Sequence, residues 1–195
     1  MNELIEYINQ YATLLKEGSV WHNSKELLAP VVIDSNQIAM DSYIYEFYCY
    51  ISIIVDLMPN YEIIFHEGTG KNKYKFPQAA ADKKGKPRFH ALKNDEIQFQ
   101  ICAGTKIKCR FKSEENHPDI SFQIATASDD PKEGDLILIM DAKYKENIDS
   151  SLPKEEIYKF AEIVRLFGLC KRPIKEIEFD IYKNFFGNCL ITNGG

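Results

Sequence analysis

Pro118-Asp119-Ile120-Ser121-Phe122 opens a strand with a carboxylate, and Leu136-Ile137-Leu138-Ile139-Met140-Asp141-Ala142-Lys143 ends an apolar strand in a carboxylate and an amine. Successive side chains of a strand point to opposite faces, so Asp141 and Lys143 share one face and Ala142 takes the other. Between the two strands lies Ser128-Asp129-Asp130-Pro131-Lys132-Glu133-Gly134-Asp135, whose Asp, Pro and Gly are turn formers. An antiparallel hairpin sets the start of its first strand beside the end of its second. That pairing gathers Asp119, Asp141 and Lys143 at one end of a sheet. Two carboxylates beside an amine offer hard oxygen ligands for a divalent cation and a group that can move a proton.

Pro118-Asp119 followed by Asp141-Ala142-Lys143 resembles the signature of the PD-(D/E)XK nuclease superfamily. The motif is short, and its context carries the weight. An apolar strand leads into Asp141, another follows Asp119, an acid-bearing helix lies upstream and an amphipathic helix downstream. The resemblance covers roughly residues 41–185. It implies an α/β, restriction-endonuclease-like fold with a central mixed sheet flanked by helices. It also implies an endonuclease that hydrolyses phosphodiester bonds, with DNA as the expected substrate and a restriction or defence system as the setting. Asp119 and Asp141, with the Ala142 carbonyl, would hold Mg2+ or Mn2+, and Lys143 would orient or deprotonate the attacking water. A glutamate on the first core helix often joins such sites, which makes Glu46 the third acid. The resemblance has departures. Asp rather than the more frequent Glu stands at position 141, and no Q-x-x-x-Y pattern follows in the downstream helix, against an exonuclease subtype. A catalytically inactive nuclease-like module, binding nucleic acid or serving assembly, would carry the same pattern without cutting.

Outward from the hairpin, Glu155–Phe167 carries Ile157, Phe160, Ala161, Val164 and Phe167 at helical spacing and stops at Gly168. Ile174–Tyr182 alternates and is expected as a strand, and Cys189–Thr192 as a last short one. Upstream, Lys106–Lys112 alternates cleanly, with Lys and Arg on one face and Ile, Cys and Phe on the other. Glu96–Cys102 and Tyr61–Phe65 are further strands. Asp41–Met58 is expected as a helix whose apolar face takes in Ile44, Phe47, Tyr48, Ile51, Ile54, Val55 and Met58. Glu46 sits inside that stretch, and a buried acid is costly unless paired or bound to a metal. Residues 2–16 show Leu4, Ile5, Ile8, Tyr11, Leu14 and Leu15 at helical spacing. The expected organisation is an N-terminal helical extension over 1–40 and a nuclease-like domain over 41–195, with a basic insertion at about 66–95.

Charge is distributed unevenly. Residues 71–112 hold twelve basic against three acidic residues, net +9, in a chain whose total is −5. A basic segment in an acidic chain suits a polyanion, and each phosphate contact would make binding salt-dependent through counterion release. Lys83, Lys84, Lys86, Arg88, Lys106, Lys108 and Arg110 are the candidate nucleic-acid contacts, with double-stranded DNA the expected partner. A lysine-rich loop facing water fits the same pattern. The composition is that of a globular domain. The chain has no apolar run of about 18 residues, so no membrane helix is expected. The N-terminus lacks the basic start of a signal peptide. Five scattered cysteines without C-x-x-C spacing argue for reduced thiols in a cytoplasmic chain rather than a disulfide framework or a zinc site. The resemblance further implies a homodimer or a partner specificity domain, since cutting both strands needs two sites and a bare core does not choose its target.

Overall fold

The computed structural model of the chain describes residues 37–66, 68–69, 82–109, 116–145, 147, 149–171, 175–185 and 187–193. The expected helix over 2–16, most of the 1–40 extension, the segment 70–81 and Arg110 lie outside them. The elements run α1 (Gln37–Leu57), β1 (Glu62–His66), β2 (Arg88–Lys93), β3 (Glu96–Ala103), β4 (Ile120–Ile124), β5 (Leu136–Lys143), α2 (Lys154–Leu166), α3 (Glu176–Phe185) and β6 (Cys189–Thr192). The six strands form one mixed sheet in sequence order. Neighbours are antiparallel from β1 to β5, and β6 lies parallel to β5. A parallel neighbour needs a crossover, which α2 and α3 supply. Among the described residues no helix is long and apolar enough to cross a membrane.

Each face of the sheet is covered by a different helix. Tyr50, Ile53, Ile54 and Leu57 recur at helical spacing along α1 and pack on Phe89, Ala91, Phe99, Ile101, Ile120, Phe122, Leu138, Met140 and Ala142. The Tyr50 hydroxyl donates to the Ile101 carbonyl at 2.8 Å, tying helix to sheet. Leu136 and Ile139 turn to the opposite side, where they meet Phe160 of α2 together with Phe167, Leu169 and Ile107. Burial on both faces explains the unbroken Leu-Ile-Leu-Ile-Met run of β5. The β2–β3 hairpin turns on Asn94 and Asp95, both at positive φ, the conformation that short polar side chains tolerate in tight hairpins.

Four expectations are corrected. Residues 176–182 are not a strand but lie in α3. Lys175 N–H donates to the Glu178 carboxylate and Lys175 C=O accepts from Phe179, a capped helix start that the alternation concealed. The core-facing positions of α3 are Glu178, Ile181, Tyr182 and Phe185, whereas Ile177 and Phe179, which made the strand pattern, are exposed. Residues 106–109 join no ladder: Ile107 bridges Asn116 and Lys108 bridges Lys132, so this segment is a strap between two partners. Arg88–Lys93, expected within a basic insertion, is strand β2 inside the sheet. Ile157 and Ala161 of α2, and Tyr48 and Val55 of α1, all expected on apolar faces, are exposed. The half-buried residue one turn before Phe160 is Glu156.

Phe122 ties the layers together, with its ring centroid 5.6 Å from Phe99 and 5.7 Å from Phe185. Phe122→Ala is expected to lower the unfolding free energy by about 3–5 kcal/mol, read as a lower urea midpoint at unchanged slope. A loss under about 1 kcal/mol would mean that the site collapses without a cavity.

Candidate active site

The register of β4 on β5 builds the site. Ile120 lies opposite Met140, so Asp119, one step before it, reaches Asp141, one step after. The Asp119 carboxylate accepts the Ala142 backbone N–H at 2.8 Å. It also shares a hydrogen bond with the Asp141 carboxyl group. Asp119 C=O accepts from Gly104 N–H at 2.7 Å, which holds the head of β4 against the end of β3. Two residues past Asp141 on the same face, the Lys143 ammonium lies 2.6 Å from Asp141 Oδ2. Ala142 points its methyl group into the core under α1. Glu46, on α1, is half-buried and feels the charges of Asp141 and Lys143, and its own charge acts on Asp119. Cys49, three residues further along α1, is buried beside the same acids. The structure therefore brings together Asp119, Asp141 and Lys143, with Glu46 within reach of their charges.

Electrostatics at this end of the sheet are lopsided. Burial pushes the Glu46 carboxyl up to about 7, helped by the Asp141 charge and opposed by Lys143. Burial, then Glu46, then Asp141 raise Asp119 to about 9, against the Ala142 N–H, which favours its charged form. Burial alone would lower Lys143. Its hydrogen bond to Asp141 and the charges of Asp141, Asp119 and Glu156 outweigh that and raise it. Four carboxyl groups, Asp119, Asp141, Glu46 and Glu156, thus act on one ammonium. Among the described residues no group of three His, Cys, Asp or Glu side chains stands ready to hold a metal ion. The donor chemistry nevertheless suits a hard divalent cation: two carboxyl groups interact directly, a third lies within electrostatic reach of both, and a cation would relieve the crowding that makes them hold their protons.

The basic candidates behave differently. Lys83 is buried, at 1% exposure, and donates to Gln123 Oε1 at 2.8 Å and to Ala127 C=O at 3.1 Å. Its burial lowers its affinity for a proton. It is an interior strut, not a phosphate contact, which corrects the expectation from its lysine-rich surroundings. Arg88 is also turned inward, donating to His90 at 3.2 Å and pairing with Asp129 at 3.3 Å. Burial, with Arg88, His66 and Lys83 nearby, pushes His90 down to about 4. Lys106 stands 3.9 Å from Asp82, and Lys108 is 2.8 Å from Asp130. Lys84 is exposed and Lys86 half-buried, and each has interactions of its own. Among the described residues the basic segment is thus interleaved with acids rather than laid out as one cationic face.

Glu156 was not legible as a site residue. Its Oε2 lies 3.8 Å from the Lys143 ammonium. The signal was present: an acid at the position that continues the stripe of Phe160, Ile163, Val164 and Phe167 toward the sheet. No protein-family model, no curated protein and no solved structure matches the chain.

The raised carboxyl groups have a consequence for stability. Unfolded, Asp119 and Glu46 would lose their protons near 3.8 and 4.5; folded, they keep them to about 9 and 7. The folded state binds more protons in that window, so stability is full below the unfolded values and falls as pH rises through the folded ones. Urea midpoints measured in a chelator are expected to drop from about pH 5 to about pH 9, and Asp119→Asn to flatten the drop. A wild-type midpoint that rises across this window would contradict the crowding.

Proposed function

We propose that this chain is a Mg2+- or Mn2+-dependent endonuclease of the PD-(D/E)XK type, with a restriction-endonuclease-like fold, that hydrolyses phosphodiester bonds in DNA within a restriction or defence system. One observation carries the reading: Asp119 and Asp141 are in contact across the end of an antiparallel hairpin, with Lys143 on the same face. The order of elements supports it. A helix, an antiparallel run ending in the motif hairpin, a crossover and a strand parallel to β5 are compatible with the core that the resemblance implies.

Asp119 and Asp141, with Glu46, are the residues that would hold the ion. Bound there, a divalent cation would polarise a phosphoryl oxygen and offset the crowded negative charge. The chain's own groups do the rest. Lys143, whose carboxylate neighbours favour its charged form, acts as a donor that orients water toward the phosphorus and stabilises charge building on the phosphoryl oxygens. Burial of the site strengthens each of these contacts relative to water. The Asp119 bond to Ala142 N–H holds that carboxylate in place, so little reorganisation is needed at the moment of reaction. A second reading is a nuclease-like module that binds or assembles without cutting. Its support is the engagement of Lys143 with Asp141 and Glu156.

Nicking of supercoiled plasmid with Mg2+, with Mn2+ and with EDTA separates the two. The wild type is expected to nick only with metal, Lys143→Ala to slow nicking on the order of a hundredfold, and Asp119→Ala to abolish it. Salt-sensitive DNA binding without nicking would turn the conclusion to the second reading. Equal nicking by all three proteins would trace to a contaminant and remove the support for both catalytic residues.

A further inference from the structure

Glu156 sits in the first turn of α2, where its N–H bonds to Pro153 C=O at 3.0 Å. The positive end of a helix favours a carboxylate there. Its two oxygens face two lysines: Oε2 toward Lys143 at 3.8 Å and Oε1 toward Lys159 at 3.2 Å. A clamp at the end of β5 holds the loop that precedes α2. Lys145 N–H donates to Asn193 Oδ1 at 2.7 Å, and Lys145 C=O accepts from Asn193 Nδ2 at 2.8 Å. The Lys145 ammonium donates to Ser150 C=O at 2.6 Å, which ties down the loop leading into α2. The end of β5, the end of β6 and the loop before α2 are thus fastened together, and Glu156 lies beside Lys143.

Lys143 now takes an oxygen of Asp141, one of the oxygens that a divalent cation would claim. An ammonium in a half-buried site does not leave one carboxylate cheaply unless another receives it. We propose that Glu156 is the receiving group: a positioning residue that draws the Lys143 ammonium off Asp141 when Asp141 turns to a cation, and keeps that ammonium at the site. The inference rests on the metal-dependent reading above. Lys159, 2.8 Å from Glu155, also reaches the other Glu156 oxygen at 3.2 Å.

Mn2+ affinity, read from the electron paramagnetic resonance signal of the free ion, tests this without relying on cleavage. The set is wild type, Glu156→Gln, Lys143→Met and the double variant, each checked for fold by circular dichroism. Glu156→Gln is expected to weaken Mn2+ binding on the order of tenfold, because the ammonium stays on Asp141. In the Lys143→Met background the same change is expected to have little effect, since no ammonium then competes. Equal losses in both backgrounds would mean that Glu156 acts only through its own charge and would overturn the inference. So would an unchanged affinity in Glu156→Gln. In both cases the metal-dependent reading would stand. A wild type that binds no Mn2+ would instead overturn that reading, and this inference with it.

Discussion

The register between β4 and β5 is the constraint from which the rest follows. Phe122 faces Leu138, and Ile120 faces Met140, and all four enter the core beneath α1. A one-residue slip would reverse every side chain of the strand, sending Asp141 and Lys143 into that core and Ala142 out. Burying both charges without partners would be far costlier than the loss of one contact. The hydrophobic pattern that stabilises the sheet therefore also sets the distance between the two acids. The bulge between Phe122 and Gln123 lies further along the pairing, so it alters the turn end of the hairpin and leaves the Asp119 end in step.

The site carries a stability cost that the surrounding elements offset. Crowded carboxyl groups repel, and half-burial amplifies the repulsion. Against this stand fixed donors: the Ala142 N–H on Asp119 and the Lys143 ammonium on Asp141. β6 adds order from the other side. Asn188, just before it, accepts the Ile139 N–H at 2.9 Å, and Asn193, just after it, makes two hydrogen bonds to the Lys145 backbone. Side-chain amides thus bracket the parallel pairing of β5 with β6, where the strand alone is four residues long. Gly187 allows the tight entry into β6: its φ is +82°, and a Cβ there would stand 2.7 Å from the Tyr182 ring.

What could be read from the sequence was what local pattern determines. The hairpin announced itself because alternation, a turn-forming link and an apolar run are all properties of neighbouring residues. Glu46 stood out as an acid in an apolar stretch, and the structure places it by the other acids. The misread pieces depend on distant partners or on competing local signals. Residues 176–182 alternate like a strand, yet Glu178 closes a helix start on Lys175. Lys83 looked like its exposed neighbour Lys84, yet Gln123, forty residues away in sequence, gives it an interior acceptor. Glu156 was overshadowed by Ile157 because a hydrophobic residue attracts a core assignment, whereas the clamp on Lys145 that holds the loop before α2 is nonlocal.

The same hairpin settles the charge balance at both of its ends. One end gathers Asp119, Asp141 and Lys143, with Glu46 within reach of their charges. The other end, the turn from β4 to β5, carries Asp129 and Asp130, which pair with Arg88 and Lys108. Among the described residues of the basic stretch, Arg88 and Lys108 are therefore partly neutralised by the hairpin, and Lys83 is buried. A phosphate group approaching the described surface would find no broad cationic field to draw it in. At the acidic end, a cluster of carboxyl groups offers an anion no attraction unless a cation reverses the local sign. On the nuclease reading, the ion that would activate the chemistry is then also what would make the site attractive to its substrate, and binding near Lys143 and cleavage should depend on it together.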